Sequence, residues 1–133
     1  MPIKDVSEGD KRLTKRTQRP VEKPPILWTG ILFALAANLL LVTVADSVAE
    51  QLQVSSSLES IVVIVGALLA GVFTALYVRQ RGGIHAFIGG LISIPLLGLF
   101  ILAGAWQLAI LAGAFCTLGG TISELGLRKR PIR

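Results

Sequence analysis

The stretch IVVIVGALLAGVFTALYV, residues 61–78, followed at once by Arg79, Gln80 and Arg81, decides the fold class. Its 18 residues include no Asp, Glu, Lys or Arg, and a helix of that length rises ~27 Å, close to the hydrocarbon thickness of a bilayer. Hydrocarbon offers the backbone no hydrogen-bond partner, so the stretch must be helical although Val and Ile favour strands elsewhere. Ala67, Gly71 and Ala75 recur along it at four-residue spacing. Residues so spaced share one face, and small ones let a neighbouring helix come close.

Outward from this stretch, residues 26–45, 84–103 and 106–123 are three further uncharged apolar runs of spanning length. The expected fold is an all-α integral membrane four-helix bundle over residues 26–127. Composition agrees: 53% of the chain is apolar and 16% charged, against roughly 45–50% and about 25% in soluble domains. The net charge of +5 does not indicate nucleic acid, because the basic residues flank apolar runs instead of interleaving with aromatics on a polar surface. Cys116 is the one cysteine, which excludes an intrachain disulfide and a multi-cysteine metal site. No A-x-A cleavage pattern follows residues 26–45, so that run reads as a permanent anchor.

Charge sets the expected topology. Residues 1–25 carry seven Lys and Arg against four acidic residues and end in Pro24 and Pro25; they read as a disordered basic tail. The connection at 46–60 holds Asp46, Glu50 and Glu59 with no basic residue, the next holds Arg79 and Arg81, the third is uncharged around Gly104, and residues 128–133 are a second basic tail. Basic loops stay cytoplasmic, so both termini are expected inside the cytoplasmic membrane, with the tails attracting anionic lipid headgroups. The 46–60 connection reads as a plain loop, or a short amphipathic turn on the outer surface. Trp28, Tyr77 and Trp106 fall at span ends, where aromatic rings anchor helices.

Residues 69–81 and 118–130 match at an offset of 49, with Leu69, Gly71, Leu76, Arg79 and Arg81 over Leu118, Gly120, Leu125, Arg128 and Arg130. Two tandem helical hairpins would produce this match, and so would convergence on a common inward exit. Helix packing is assigned to Gly66, Gly71, Gly89, Gly90, Gly113 and Gly120. On the fourth span the row of small residues is Ala105, Ala109, Gly113, Thr117 and Thr121, with a neighbouring row of Ala112, Cys116 and Gly120. The first span has fewer such stripes and is expected to face lipid or a partner. Pro95 should kink the third span by freeing the carbonyl of Leu91, with Ser93 and Thr117 available to satisfy it.

Asn38, Ser93 and Thr117 are the candidate polar groups inside the membrane, with Thr74 beside them. Each either links helices or contacts a ligand or ion. His85, Arg79 and Arg81 are candidate interface residues, His85 as a hydrated surface group or a pH-sensing one. Glu124 reads as an ion-pair partner of Arg128 at i+4. The chain has one His and one Cys and lacks H-E-x-x-H, C-x-x-C, G-x-S-x-G and P-loop patterns, so neither an enzyme nor a bound metal or cofactor is expected.

The segments 82–91 (GGIHAFIGGL) and 118–121 (LGGT) resemble those of a loose group of small, Gly-rich prokaryotic four-helix membrane proteins. Ala86 stands where that group has a second glycine after His. The resemblance covers roughly residues 60–130 and implies a prokaryotic cytoplasmic membrane location without an assigned activity. The resulting expectation is a structural or accessory membrane protein, acting by Gly-mediated helix packing with a partner or with itself. The alternative is a small homo-oligomeric channel or transporter lined by Asn38, Thr74, Ser93 and Thr117. A pore needs those residues on one water-accessible path, whereas a packing protein needs them paired within the bundle.

Overall fold

The computed structural model describes residues 25–129. The tail at residues 1–24 and residues 130–133 lie outside that range. Four helices follow one another: α1 Trp28–Gln51, α2 Ser56–Val78, α3 Gly82–Leu96 and α4 Trp106–Arg128, with α3 continuing as a π-helical turn, Leu97–Ile101. All four, α3 taken with its π turn, are long and apolar enough to cross a membrane. The chain is a multi-pass membrane protein.

The spans lie where the apolar runs place them, but the helices are longer. α1 continues to Gln51 and α2 begins at Ser56, so the expected loop at 46–60 shrinks to residues 52–55. Asp46 and Glu50 ride on the last turns of α1, where polar side chains reach water without unwinding the backbone. Glu59 occupies the first turn of α2, the end of a helix that favours negative charge.

Around the bundle, α1 packs against α2 and α3, α4 packs against the same two, and α1 and α4 scarcely meet. α1 has a small-residue stripe of its own: Gly30, Ala34 and Asn38, then Ala45 and Ala49, are all buried, while Leu32, Leu40 and Val44 face outward. It is still the least buried of the four helices. The hairpins α1–α2 and α3–α4 are both present as packed units. In a ring ordered α1, α2, α4, α3, a two-fold axis along the bundle exchanges α1 with α4 and α2 with α3, and so cannot carry α1 onto α3 and α2 onto α4. The match between the ends of α2 and α4 therefore has no such rotational symmetry behind it.

The interior is built from small residues, among them Ala34, Ala67, Ala70, Ala86, Ala109, Ala112 and Cys116, with Val42, Val63 and Leu97 as its larger members. Leu32, Leu40, Phe73, Phe100 and Ile122 point outward. This reverses the soluble arrangement, in which large apolar residues fill the core, because lipid accepts large side chains while close helix contact needs small ones.

Pro95 acts differently from the expectation. The hydroxyls of Ser93 and Thr117 donate to the carbonyls of Gly90 and Gly113, so neither serves Leu91. Downstream of the proline the ladder widens, the Leu102 N–H reaching the Leu97 carbonyl at 2.7 Å. That i to i+5 bond is the π turn.

The α2–α3 turn is unusually tight. Arg79 and Arg81 both have positive φ, 57° and 53°, because Gly82 sits directly on Ala75: a Cβ on Gly82 would lie 2.5 Å from the Ala75 Cα. Left-handed backbone costs a non-glycine residue about 1–2 kcal/mol. Arg79→Gly should therefore stabilise the protein by about 1 kcal/mol, seen as a higher midpoint in denaturant titration of the detergent-solubilised chain; an unchanged or lower midpoint contradicts the strained turn.

Candidate functional site

The glycine contacts differ sharply in tightness. α2 and α4 approach closest, where a Cβ on Gly71 would run into the carbonyl oxygen of Cys116 and one on Gly119 into that of Leu68. The obstacle in both cases is backbone, which cannot turn aside. Gly120 faces Ala86, at 2.6 Å from an added Cβ, Gly89 faces Ala34 at 2.6 Å, and Gly90 faces the Gly113 carbonyl at 2.9 Å. Gly66 has the most room, with Leu41 and Ala45 beyond 3.0 Å, and Gly113 meets the flexible side chain of Ile94. All six glycines assigned to packing thus face another helix of the same chain. On α4 the row Ala112, Cys116 and Gly120 is buried, and so are Ala109 and Gly113 of the neighbouring row, whose outer members are less so: Ala105 is exposed and Thr117 and Thr121 are half-buried. Gly119, Gly30 and Gly83 also make close contacts that stripe counting missed.

The intramembrane polar residues pair off. Asn38 is fully buried and its Nδ2 donates to the Ser93 Oγ at 2.6 Å, which in turn donates to the Gly90 carbonyl at 2.7 Å. Thr74 donates to its own helix at Ala70, and Thr117 at Gly113. The Asn38 Oδ1 is buried without a partner among the described residues. Asn38 and Ser93 therefore link α1 to α3, and the two threonines bond within their own helices.

At the basic end, His85 corrects the surface expectation, because it is 1% exposed. Its Nε2 accepts the N–H of Leu27 at 3.0 Å, and its Nδ1 lies 2.8 Å from the Arg81 carbonyl. An acceptor at Nε2 places the proton on Nδ1, which donates to that carbonyl. His85 thereby caps the start of α1 from α3. Glu124 does the same for α3 from α4: its Oε2 accepts the Gly83 N–H at 3.0 Å while its Oε1 pairs with Arg128 at 2.7 Å. The expected i+4 ion pair is present, with an unforeseen second role. A signal existed, since Leu27 and Arg81, which precede the two helices, have no capping side chain and the first amides need acceptors from elsewhere.

Two clefts mark the bundle ends. One of about 430 Å³ lies among Pro25, Leu27, Val78, Arg79, Gln80 and Arg81. The other, about 580 Å³, is flanked by Ser56, Glu59, Trp106 and Gln107. Trp28 and Tyr77 are exposed, and Tyr77 stacks on Phe33 with ring centroids 4.2 Å apart.

Gly71→Ala should cost about 3 kcal/mol or more, because the added methyl meets backbone, whereas Gly126→Ala, with nothing within 4 Å, should stabilise by roughly 0.5–1 kcal/mol. Denaturant titration of both variants checks this, and equal effects contradict the ranking. In a double-mutant cycle, Asn38→Ala and Ser93→Ala should couple by ~1 kcal/mol; additive losses would mean that the α1–α3 hydrogen bond contributes nothing.

Compared with family models, curated proteins and solved structures, the chain matches none of them.

Proposed function

We propose that this chain is a non-enzymatic structural or accessory protein of a prokaryotic cytoplasmic membrane, of the small Gly-rich four-helix kind that its sequence resembles. Its glycine stripes hold its own four helices together, and its outer apolar face meets lipid, a partner or a second copy. Both termini are cytoplasmic in this reading, which follows from the basic ends and the acidic first connection.

The pairing of the buried polar groups carries the proposal. The Asn38 amide nitrogen donates to Ser93, Ser93 to Gly90 and Thr74 to Ala70. The helices between them touch backbone to backbone, and the clefts described above lie at the two ends of the bundle. The channel alternative needs those same hydroxyls and the amide to line a shared water path, so the geometry favours packing over conduction through one chain.

Pull-down of the tagged protein from native membranes in mild detergent, with mass spectrometry and the mass of the complex, tests this. A stoichiometric partner or a defined homo-oligomer is the expected result. A monomer that carries nothing but lipid counts against the accessory role.

A further inference from the structure

We propose that the cleft at the α2–α3 turn is a binding site for the headgroup phosphate of an anionic phospholipid, held by Arg79 and Arg81. The cleft measures about 430 Å³; Pro25, Leu27 and Val78 form its apolar wall and Arg79, Gln80 and Arg81 its polar side. Each guanidinium presents a planar fork of N–H donors that fits two phosphate oxygens at once, and the Gln80 amide adds a further donor.

Three observations converge on an anion. First, neither arginine has a carboxylate partner among the described residues, where the one ion pair is Arg128–Glu124. Glu124, the acidic residue of this end among the described residues, is already committed, one oxygen to Arg128 and the other to the Gly83 N–H. Second, the cleft is held rigidly by one buried side chain. His85 bonds the Leu27 N–H on one wall and the Arg81 carbonyl on the other, which ties the start of α1 to the turn. Third, arginine stands twice in three residues where the backbone is left-handed and glycine or asparagine would be relaxed. Both of these arginines line the one cleft.

The lipid source follows from position. The turn joins two membrane-spanning helices, so it lies at headgroup depth, and the apolar wall gives the glycerol and first methylenes of a lipid a surface that free phosphate does not need. This site is local and distinct from the diffuse attraction of the basic tails, and it stands whether or not the packing role holds.

The test uses the full chain with Trp106→Phe, which leaves Trp28, next to the cleft residue Leu27, as the one tryptophan. The protein is reconstituted in phosphatidylcholine vesicles containing a minority of phosphatidylglycerol with brominated chains, and quenching of Trp28 is compared with that by brominated phosphatidylcholine. The expected preference for phosphatidylglycerol is about tenfold. It should fall close to unity in R79N/R81N, a pair chosen because asparagine tolerates left-handed backbone. It should persist in R128Q/K129Q, which removes the same charge from the same end. Undiminished preference in R79N/R81N, or equal loss in both double variants, overturns the site. Should R79N/R81N fail to fold, R79K/R81K decides: it keeps the charge without the fork, and full retention of the preference overturns recognition by guanidinium. Inorganic phosphate added to the wild-type vesicles should leave the preference intact; abolition of it assigns the cleft to soluble phosphate and overturns the lipid assignment.

Discussion

The contact between α2 and α4 at Gly71 and Gly119 is the constraint on which the rest of the bundle depends. Each glycine lies directly against a backbone carbonyl of the other helix, so no side chain separates the two backbones there. α3 then fits against both: against α4, where Gly120 receives Ala86 and Gly90 meets Gly113, and against α2, where Gly82 sits on Ala75. α1 closes the remaining side through Ala34 against Gly89 and Ala45 against Gly66. Without the first approach, the small interior residues would enclose empty space that no side chain is large enough to fill.

Polar groups add specificity to this packing. Dispersion alone holds apolar helices together in lipid and distinguishes poorly between registers. The Asn38 amide on Ser93, His85 on Leu27 and Glu124 on Gly83 are directional, and a one-residue slip breaks each of them. They lie at two depths, one near the middle of α1 and two at the basic end, so the three together fix the helices in both translation and rotation.

The existence and number of the spans were legible because hydrocarbon imposes length and excludes charge whatever the tertiary structure. Helix ends were less so. Asp46 and Glu50 serve equally well in a loop or on the last turns of α1, and only the close approach of α2 decides it. The glycine stripes could be found by spacing, but which members of the two rows on α4 are buried, Ala109 and Gly113 beside Ala112, Cys116 and Gly120, depends on what α2 and α3 present. His85 was misplaced for a different reason: its partner is a backbone amide 58 residues away, a donor every sequence contains and no pattern marks. The polar pair Asn38 and Ser93, 55 residues apart, consisted of residues already singled out, though nothing in their spacing joined them.

The cross-helix caps also bear on how the molecule is made. The amide of Leu27, which leads into α1, finds its acceptor on α3, and the Gly83 amide of α3 finds its acceptor four residues before the end of α4. A chain synthesised from its N-terminus therefore leaves the ribosome with each of these helix starts unsatisfied until a later span arrives. The last helix to be synthesised completes both the tightest contact and the final cap. A chain cut short before residue 124 could insert three spans yet never close the fold, which exposes an unfinished bundle to membrane quality control as a recognisably different object.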